Sequence, residues 1–304
     1  MDKIPETFKS QLMQVAGEGN VLVDEAMANH TTFRIGGPAD YFVMPQSVDE
    51  LAAVIALCTQ QEVPFRIMGL GSNLLVADAG LRGVVIQLAE RFAAISVEGT
   101  HITAQAGASN ADVARAALDA GLAGYEFASG IPGSIGGAAI MNAGAYGGEF
   151  KDVAISVRCL MSDGSVCELS RDEACWTYRH SRMMDEDIIV LEATLELQPD
   201  DPAAIKDRLR DFAHRRTSKQ PLDMPSAGST FKRPEGYYVG PLLEEAGLKG
   251  FHIGGAQVSP KHAGFVVNAG GATAQDVLDL IAHVQTVVRE RYGVELQPEV
   301  RLWS

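Results

Sequence analysis

The run from Gly130 to Gly148, GIPGSIGGAAIMNAGAYGG, constrains this chain more than any other feature: seven of its residues are Gly and four are Ala. Glycine loses more conformational freedom on folding than any other residue, so ordering such a run is costly. Two readings explain it. A flat ligand lies against bare backbone, or a helix packs there at close range. A second candidate, Gly69-Leu70-Gly71-Ser72-Asn73, follows the strand-like FRIM at 65–68. Backbone N–H groups in such a loop can cradle phosphate oxygens, although a plain turn has the same composition. Leu74 stands where a dinucleotide fingerprint has its third glycine, and no Gly-Lys-Ser/Thr follows as in a Walker loop.

With 304 residues, two or three domains are expected. The net charge of −14 is uneven. Residues 1–200 hold 12 Lys/Arg against 27 Asp/Glu, a net of −15, and residues 201–304 hold 13 against 12, a net of +1. This argues against a bulk nucleic-acid surface and makes the C-terminal third the better place for an anionic small molecule. No uncharged apolar run reaches the ~20 residues of a membrane span. The opening MDKIPETFKSQLMQ has no apolar signal region, so a cytoplasmic protein is expected. Cys58, Cys159, Cys167 and Cys175 lack metal-site spacing and read as reduced thiols; no metal is expected.

Helix and strand signals alternate irregularly, which gives an α+β reading. A short, loosely attached helix is expected at 5–17. Ser47 and Glu50 form a capping box for a helix through Gln60. Strands are expected at 84–88, 93–97, 101–106 and 188–197, with a Ser109-capped helix reaching about Ala120. Asp163-Gly164 reads as a two-residue hairpin turn, which pairs 160 with 167 and puts Cys159 and Cys167 on opposite faces. A charged helix to about Ser218 follows the PDDPAA linker. Thr273 and Asp276 cap a helix that ends at Gly293. The final VELQPEVRLW alternates, with Val294, Leu296, Val300 and Leu302 on one face and Pro298 marking an edge or a bulge.

Three further places could carry chemistry. Arg179 in Tyr178-Arg179-His180-Ser181 is a surface cation or an anion grip. Ser229 in Ser226-Ala-Gly-Ser-Thr-Phe-Lys-Arg-Pro234 is a local cap or a hydroxyl in a site. Glu299 on the last strand is a solvent-facing carboxylate or an acid.

Taken together, the segments NHTTFRIGGPAD, GLGSNLLV, GIPGSIGGAAIMNAGAYGGE, YRHS, SAGSTFKRP, GGAQVSPKHAGFVVN and LQPEVR resemble the UDP-N-acetylenolpyruvoylglucosamine reductases of bacterial peptidoglycan synthesis. The short path from YRHS to the 188–197 strand looks like the compact type II subfamily. The resemblance implies a two-subdomain FAD-binding fold of the PCMH/vanillyl-alcohol-oxidase type plus a C-terminal α+β substrate domain. The boundaries expected are 1–28 for a lead-in, 29–90 and 91–200 for the FAD subdomains, and 201–304 for the substrate domain. It implies FAD and NADPH as cofactors and UDP-N-acetylglucosamine enolpyruvate as substrate, and it leaves protein partners open. FAD contacts would come from Gly69, Leu70, Gly71, Ser72, Asn73, Pro132, Gly133, Ser134, Ile135, Gly136 and Gly137, with the flavin ring along 132–137. Arg179 would grip the substrate carboxylate, Ser229 would deliver a proton and Glu299 would assist. To donate a proton a carboxyl must stay protonated, which requires desolvation. Arg215, Arg216, Lys219 and Lys232 would contact the substrate's diphosphate or carboxylate. The alternative is a sugar or alcohol oxidase of the same FAD superfamily.

Overall fold

The computed structural model describes residue 4 and residues 6–304; Pro5, the first residue of the expected 5–17 helix, lies outside them. The chain divides into two compact units. One comprises Met1–Val23, Tyr41–Leu70 and Gly83–Arg215, the other Asp24–Asp40, Gly71–Arg82 and Arg216–Ser304.

In the first unit the helix Glu6–Ala16 is firmly docked, contrary to the loose attachment expected. Phe8 and Leu12 are fully buried with Leu51, Val54 and Cys58 of the helix Val48–Gln60, in a core that includes Val84 and Ile86. Ser47 Oγ accepts from Glu50 N, and the Glu50 carboxylate accepts from Gln46 N. Phe65–Met68 pairs in parallel with residues 84–87, and its last residue delivers the chain to Gly69. A second core lies beside a five-stranded antiparallel sheet in the order Val166–Ser170, Ala154–Leu160, Ile189–Glu196, His101–Gln105, Ile95–Glu98. The short helix Ile135–Met141 packs on the Ile189–Glu196 strand, burying Ile135 and Ala139 with Ala193 and Leu195.

The hairpin register differs by one residue from the expected one. Cys159 faces Cys167, and Leu160 faces Val166. The turn holds three residues rather than two: Met161 N donates to Ser165 O, and Gly164, at φ 84°, donates to Met161 O. Asp163 fixes this turn by accepting from both N and Oγ of Ser165. A one-residue slip swaps faces, so the two cysteines share a face. Burial pushes the Cys159 thiol up to about 12, and both cysteines are free thiols.

The second unit has an antiparallel sheet in the order Ser226–Ser229, Phe265–Asn268, Ala256–Val258, His252–Ile253. The helix Ala274–Tyr292 buries Val277, Leu280, Ile281, Val284 and Val288 in this unit's core, capped by the reciprocal Thr273–Asp276 box and ended by Gly293 at φ 68°. Phe33, Ile35 and Leu75 join the same core, drawn in from far along the chain. The last segment departs from the clean alternation expected. Only Arg301–Trp303 is strand, paired in parallel with Leu74–Val76, and Leu302 is 46% exposed. Pro298 has no N–H to give a ladder, so its pairing stops at a single bridge to Phe231.

Candidate functional site

The Gly-rich run of the first unit is stitched to the start of the helix Asn110–Asp119. Asn110 N and Nδ2 donate to Gly133 O, and Nδ2 also donates to Ile131 O. Its Oδ1 accepts from Tyr125 Oη at 2.7 Å. Complete burial pushes the Tyr125 phenol up, so it stays a donor. Ile135 N donates to Ala108 O and Gly136 N to Ala106 O, at 2.9 and 2.8 Å. A Cβ at Gly136 would lie 3.0 Å from Ala106 Cβ and 3.2 Å from Ala106 O. The bareness at 136 therefore has a packing reason of its own, apart from any ligand.

Ser134 is different. It is 2% exposed, and its Oγ has no hydrogen-bond partner. Such an orphan normally costs ~1–3 kcal/mol unless something satisfies it. A Cβ at Gly69 would collide with this oxygen, and one at Gly137 would meet only this oxygen, at 3.9 Å. Two glycines thus flank an unspent buried hydroxyl. That arrangement fits a hydrogen-bonding cofactor such as FAD, and Gly69, Ser134 and Gly137 are the residues that would hold it. Pro132 is exposed and Gly133, at φ 123°, needs the freedom of glycine. Leu70 also lies in this unit and is exposed.

Arg179 is held at the C-terminal end of the helix Ile135–Met141, where backbone carbonyls lack intrahelical partners. Trp176 Nε1 donates to Ala139 O and Ser181 Oγ to Ile140 O, both at 2.7 Å. Between these anchors Arg179 takes a left-handed φ of 55°, and its guanidinium sits 4.9 Å from the Tyr178 ring centroid. Nη1 donates to Asn142 O at 3.4 Å and Nη2 to Gly144 O at 3.0 Å. A long side chain on left-handed backbone is strained, and such strain clusters at functional sites.

In the second unit, Ser229 pairs with Phe265 beyond an irregularity between Ser226 and Ser229, and it is exposed. Thr230 N donates to Gly264 O, and Glu299 N donates to Thr230 O at 2.8 Å. Ser229 and Glu299 therefore lie on neighbouring backbone segments. Glu299 is half-buried. Asn73 Nδ2 donates to Glu299 O, so the 71–73 part of the Gly loop joins the same corner. Gly71, at φ 64°, accepts from Thr32 N, and Ser72 is half-buried.

The expected substrate cations separate. Arg215 is exposed, pairs with Asp211 at 2.7 Å and lies over Phe212. Arg216, by contrast, is only 9% exposed. Lys219 is exposed in the last turn of Pro202–Lys219, where a cation suits the helix dipole. Lys232 is half-buried, and its N donates to Gln297 O. Among the described residues no group of three or more His, Cys, Asp or Glu could hold a metal ion. No described helix is long and apolar enough to cross a membrane. Asn110, Tyr125 and Asn142 were not foreseen. The only signal available was an Asn inside the Gly-rich run, because a buried polar hub is recognisable only when its partners are known.

Residues 39–170 match the FAD binding domain family, and residues 220–303 match the family described as UDP-N-acetylenolpyruvoylglucosamine reductase, C-terminal domain. The UDP-N-acetylenolpyruvoylglucosamine reductase of Caldanaerobacter subterraneus is 50% identical over 297 residues, covering 98% of each chain. That of Clostridium perfringens strain SM101 is 50% identical over 295 residues, covering 97% of each. The solved reductase of Thermus caldophilus superposes with a TM-score of 0.80 at 33% identity, over 93% of this chain and 98% of that one. A Phl p 4 variant, a glucose oxidase, shares the fold over 65% of this chain and 45% of its own, with a TM-score of 0.50 at 16% identity. Relatives at half identity across nearly the full length, with an FAD-binding domain and a matching C-terminal domain, establish that the chain belongs to the UDP-N-acetylenolpyruvoylglucosamine reductase family.

Proposed function

We propose that this FAD-dependent oxidoreductase uses NADPH to reduce UDP-N-acetylglucosamine enolpyruvate to UDP-N-acetylmuramate, a step of peptidoglycan precursor synthesis in the cytoplasm. The observation that carries the reading is the backbone hydrogen bond from Glu299 N to Thr230 O, which brings the proton-donor candidate Ser229 and the acid candidate Glu299 onto adjoining segments. FAD, when bound, would supply the hydride chemistry that links NADPH to the enolpyruvyl ether. The protein's own residues manage the charge and the proton.

Hydride arrival at C3 leaves negative charge on C2 and the adjoining carboxylate. Arg179, permanently charged, grips and neutralises that carboxylate; one preorganised donor of this kind contributes ~2.7–4 kcal/mol. Ser229 Oγ then gives its proton to C2 and sets the new stereocentre. A serine is a weak acid in water, but an enolate is a strong base. Glu299 acts as an acid or as a positioned partner of the enolate. Gly69, Leu70, Gly71, Ser72 and Asn73 would hold the FAD diphosphate, and Pro132, Gly133, Ser134, Ile135, Gly136 and Gly137 would receive its ring, with Ser134 as the side-chain contact. Arg215, Arg216, Lys219 and Lys232 serve the substrate's anionic groups.

In this reading 29–90 and 91–200 are the two FAD subdomains and 201–304 receives the substrate. The first unit holds two cores, around Val54 and around Val157, which supports two subdomains, although Phe92, Ala106, Leu160 and Leu191 of the 91–200 stretch join the first core and residues 29–40 and 71–82 belong to the second unit. The near-neutral charge after residue 200 suits a nucleotide sugar. The nine residues between Arg179 and the strand beginning at Ile189, holding the short helix Arg182–Asp185, fit the compact subfamily.

The test is NADPH consumption by the purified yellow protein. Consumption that depends on the enolpyruvyl substrate, with UDP-N-acetylmuramate identified by mass spectrometry, is the expected result. Hydrogen peroxide release from a free sugar, with no turnover of the UDP-sugar, would instead identify an oxidase.

A further inference from the structure

The left-handed residue Asn142 ends the helix Ile135–Met141 and is fully buried, yet every polar group of its side chain is engaged. Nδ2 donates to Thr177 O at 2.9 Å and to Glu149 Oε2 at 3.1 Å. Oδ1 accepts from Lys151 N at 2.9 Å. Its main-chain carbonyl accepts from Arg179 Nη1. Thr177 is bridged to His180, so the amide clasps one end of the four-residue turn whose interior holds Arg179. Glu149 ends the hairpin Gly144–Ala145/Gly148–Glu149, Lys151 lies just beyond it, and Gly144 supplies the second carbonyl for the guanidinium. One amide therefore ties together both sides of the arginine: the backbone of the turn that carries it, and the carboxylate and following backbone at the end of the hairpin that receives its tip.

We propose that Asn142 is the positioning residue for Arg179, acting on the reaction only through the placement of that guanidinium. The inference rests on the function proposed above. A left-handed Arg on a four-residue turn has no helix or strand to fix its direction, and a misplacement of about 1 Å in a reacting group costs on the order of a hundredfold in rate. The hub removes that freedom by locking Thr177 and the hairpin to one buried point. Asn also tolerates the observed φ of 42°, which most side chains do not.

The experiment uses the FAD-loaded enzyme and stopped-flow absorbance of the flavin, which separates reduction by NADPH from reoxidation by UDP-N-acetylglucosamine enolpyruvate. Asn142→Gly keeps the left-handed backbone and its carbonyl but deletes the clasp. Asn142→Asp keeps the acceptor for Lys151 N and turns oxygens toward Thr177 O and the Glu149 carboxylate. Both variants should slow the reoxidation half by roughly tenfold to a hundredfold, with flavin content maintained and a much smaller change in the reduction half. Adding Glu149→Gln to Asn142→Asp supplies an amide that can donate to the new carboxylate, and it should restore part of the rate. In an Arg179→Ala background Asn142→Gly should cost nothing further, because both changes remove the same interaction.

Equal losses in both halves, in step with lost flavin or a collapsed melting curve, would show a merely structural role and overturn the proposal. So would full additivity with Arg179→Ala, or wild-type reoxidation in Asn142→Gly. If Arg179→Ala alone reoxidises at the wild-type rate, the role given to Arg179 fails first and the proposal falls with it, an outcome recognisable because it appears in the single arginine variant.

Discussion

The side-chain amide of Asn73 donates to the main-chain carbonyl of Glu299 at 3.0 Å, across 226 residues of chain. The bond is answered in the next step, where Arg301 N donates to Asn73 O at 3.0 Å. A loop proposed to hold FAD phosphates and a carboxylate proposed to act on the substrate thus share one hydrogen-bonded corner of the second unit. Asn73→Leu removes the donor without adding charge. The expected result is a loss of about 1 kcal/mol of stability, a lower melting temperature by roughly 2 °C, and weaker FAD binding together with slower reoxidation by substrate. Calorimetry and FAD titration check it; wild-type values for both FAD affinity and reoxidation would show that the corner is only structural.

The glycines of the two Gly-rich segments are bare for different reasons, and alanine separates them. Gly69→Ala drives Ser134 Oγ out of its place, so FAD should bind about tenfold more weakly or worse, while the apoprotein melts nearly as before. Gly136→Ala presses on Ala106 instead, and overpacking of that kind costs ~1–3 kcal/mol, so the apoprotein itself should melt lower. Ser134→Ala should lose FAD affinity with little change in apoprotein stability. The comparison needs only thermal melts and fluorescence titration of the stripped protein.

His262 gives the second unit an acid sensitivity. Burial lowers its pKa below the ordinary 6.5; its own backbone hydrogen bond and Glu244 oppose this, and Lys249 and Lys219 reinforce it. Its Nδ1 accepts from Gly264 N at 3.1 Å, which requires a neutral ring. Below pH 6.5 the unfolded chain takes up a proton that the folded chain resists, so this contribution is present above 6.5 and is lost as the pH falls below it. The urea midpoint should therefore drop between about pH 7.5 and about pH 5.5, and His262→Asn, whose Oδ1 can accept the same bond without titrating, should reduce the drop. An unchanged drop would assign the sensitivity to other groups.

Much of this was legible in the sequence because it was local. The Ser47 and Thr273 caps, the stop at Gly293 and the strand running into Gly69 follow from neighbouring residues, and each appears where the pattern put it. What failed depended on counting or on distance. Asp163 extends the expected two-residue turn to three by binding Ser165, and that single residue moved Cys167 opposite Cys159. The alternation that put Leu302 inward is broken at Pro298, after which the segment joins Leu74–Val76 and leaves Leu302 exposed. In the candidate site, Ser229, Glu299 and Arg179 were singled out by motif, but nothing local showed that Glu299 would be tied to Thr230 and Asn73, or that a side chain at Gly136 would press on Ala106.

The central claim is that Ser229 delivers the proton that completes reduction of the enolpyruvyl substrate, and half-reaction kinetics test it most directly. Ser229→Ala should still pass electrons from NADPH to bound flavin at nearly the wild-type rate, and should then reoxidise with UDP-N-acetylglucosamine enolpyruvate more slowly by ~10²–10⁴, the contribution of a positioned general acid. Ser229→Cys should recover part of that loss, because a thiol can donate from the same place. FAD content and melting temperature should stay near wild type in both variants. If Ser229→Ala is slow in flavin reduction by NADPH but reoxidises normally with the enolpyruvyl substrate, Ser229 is not the proton donor and the account is wrong.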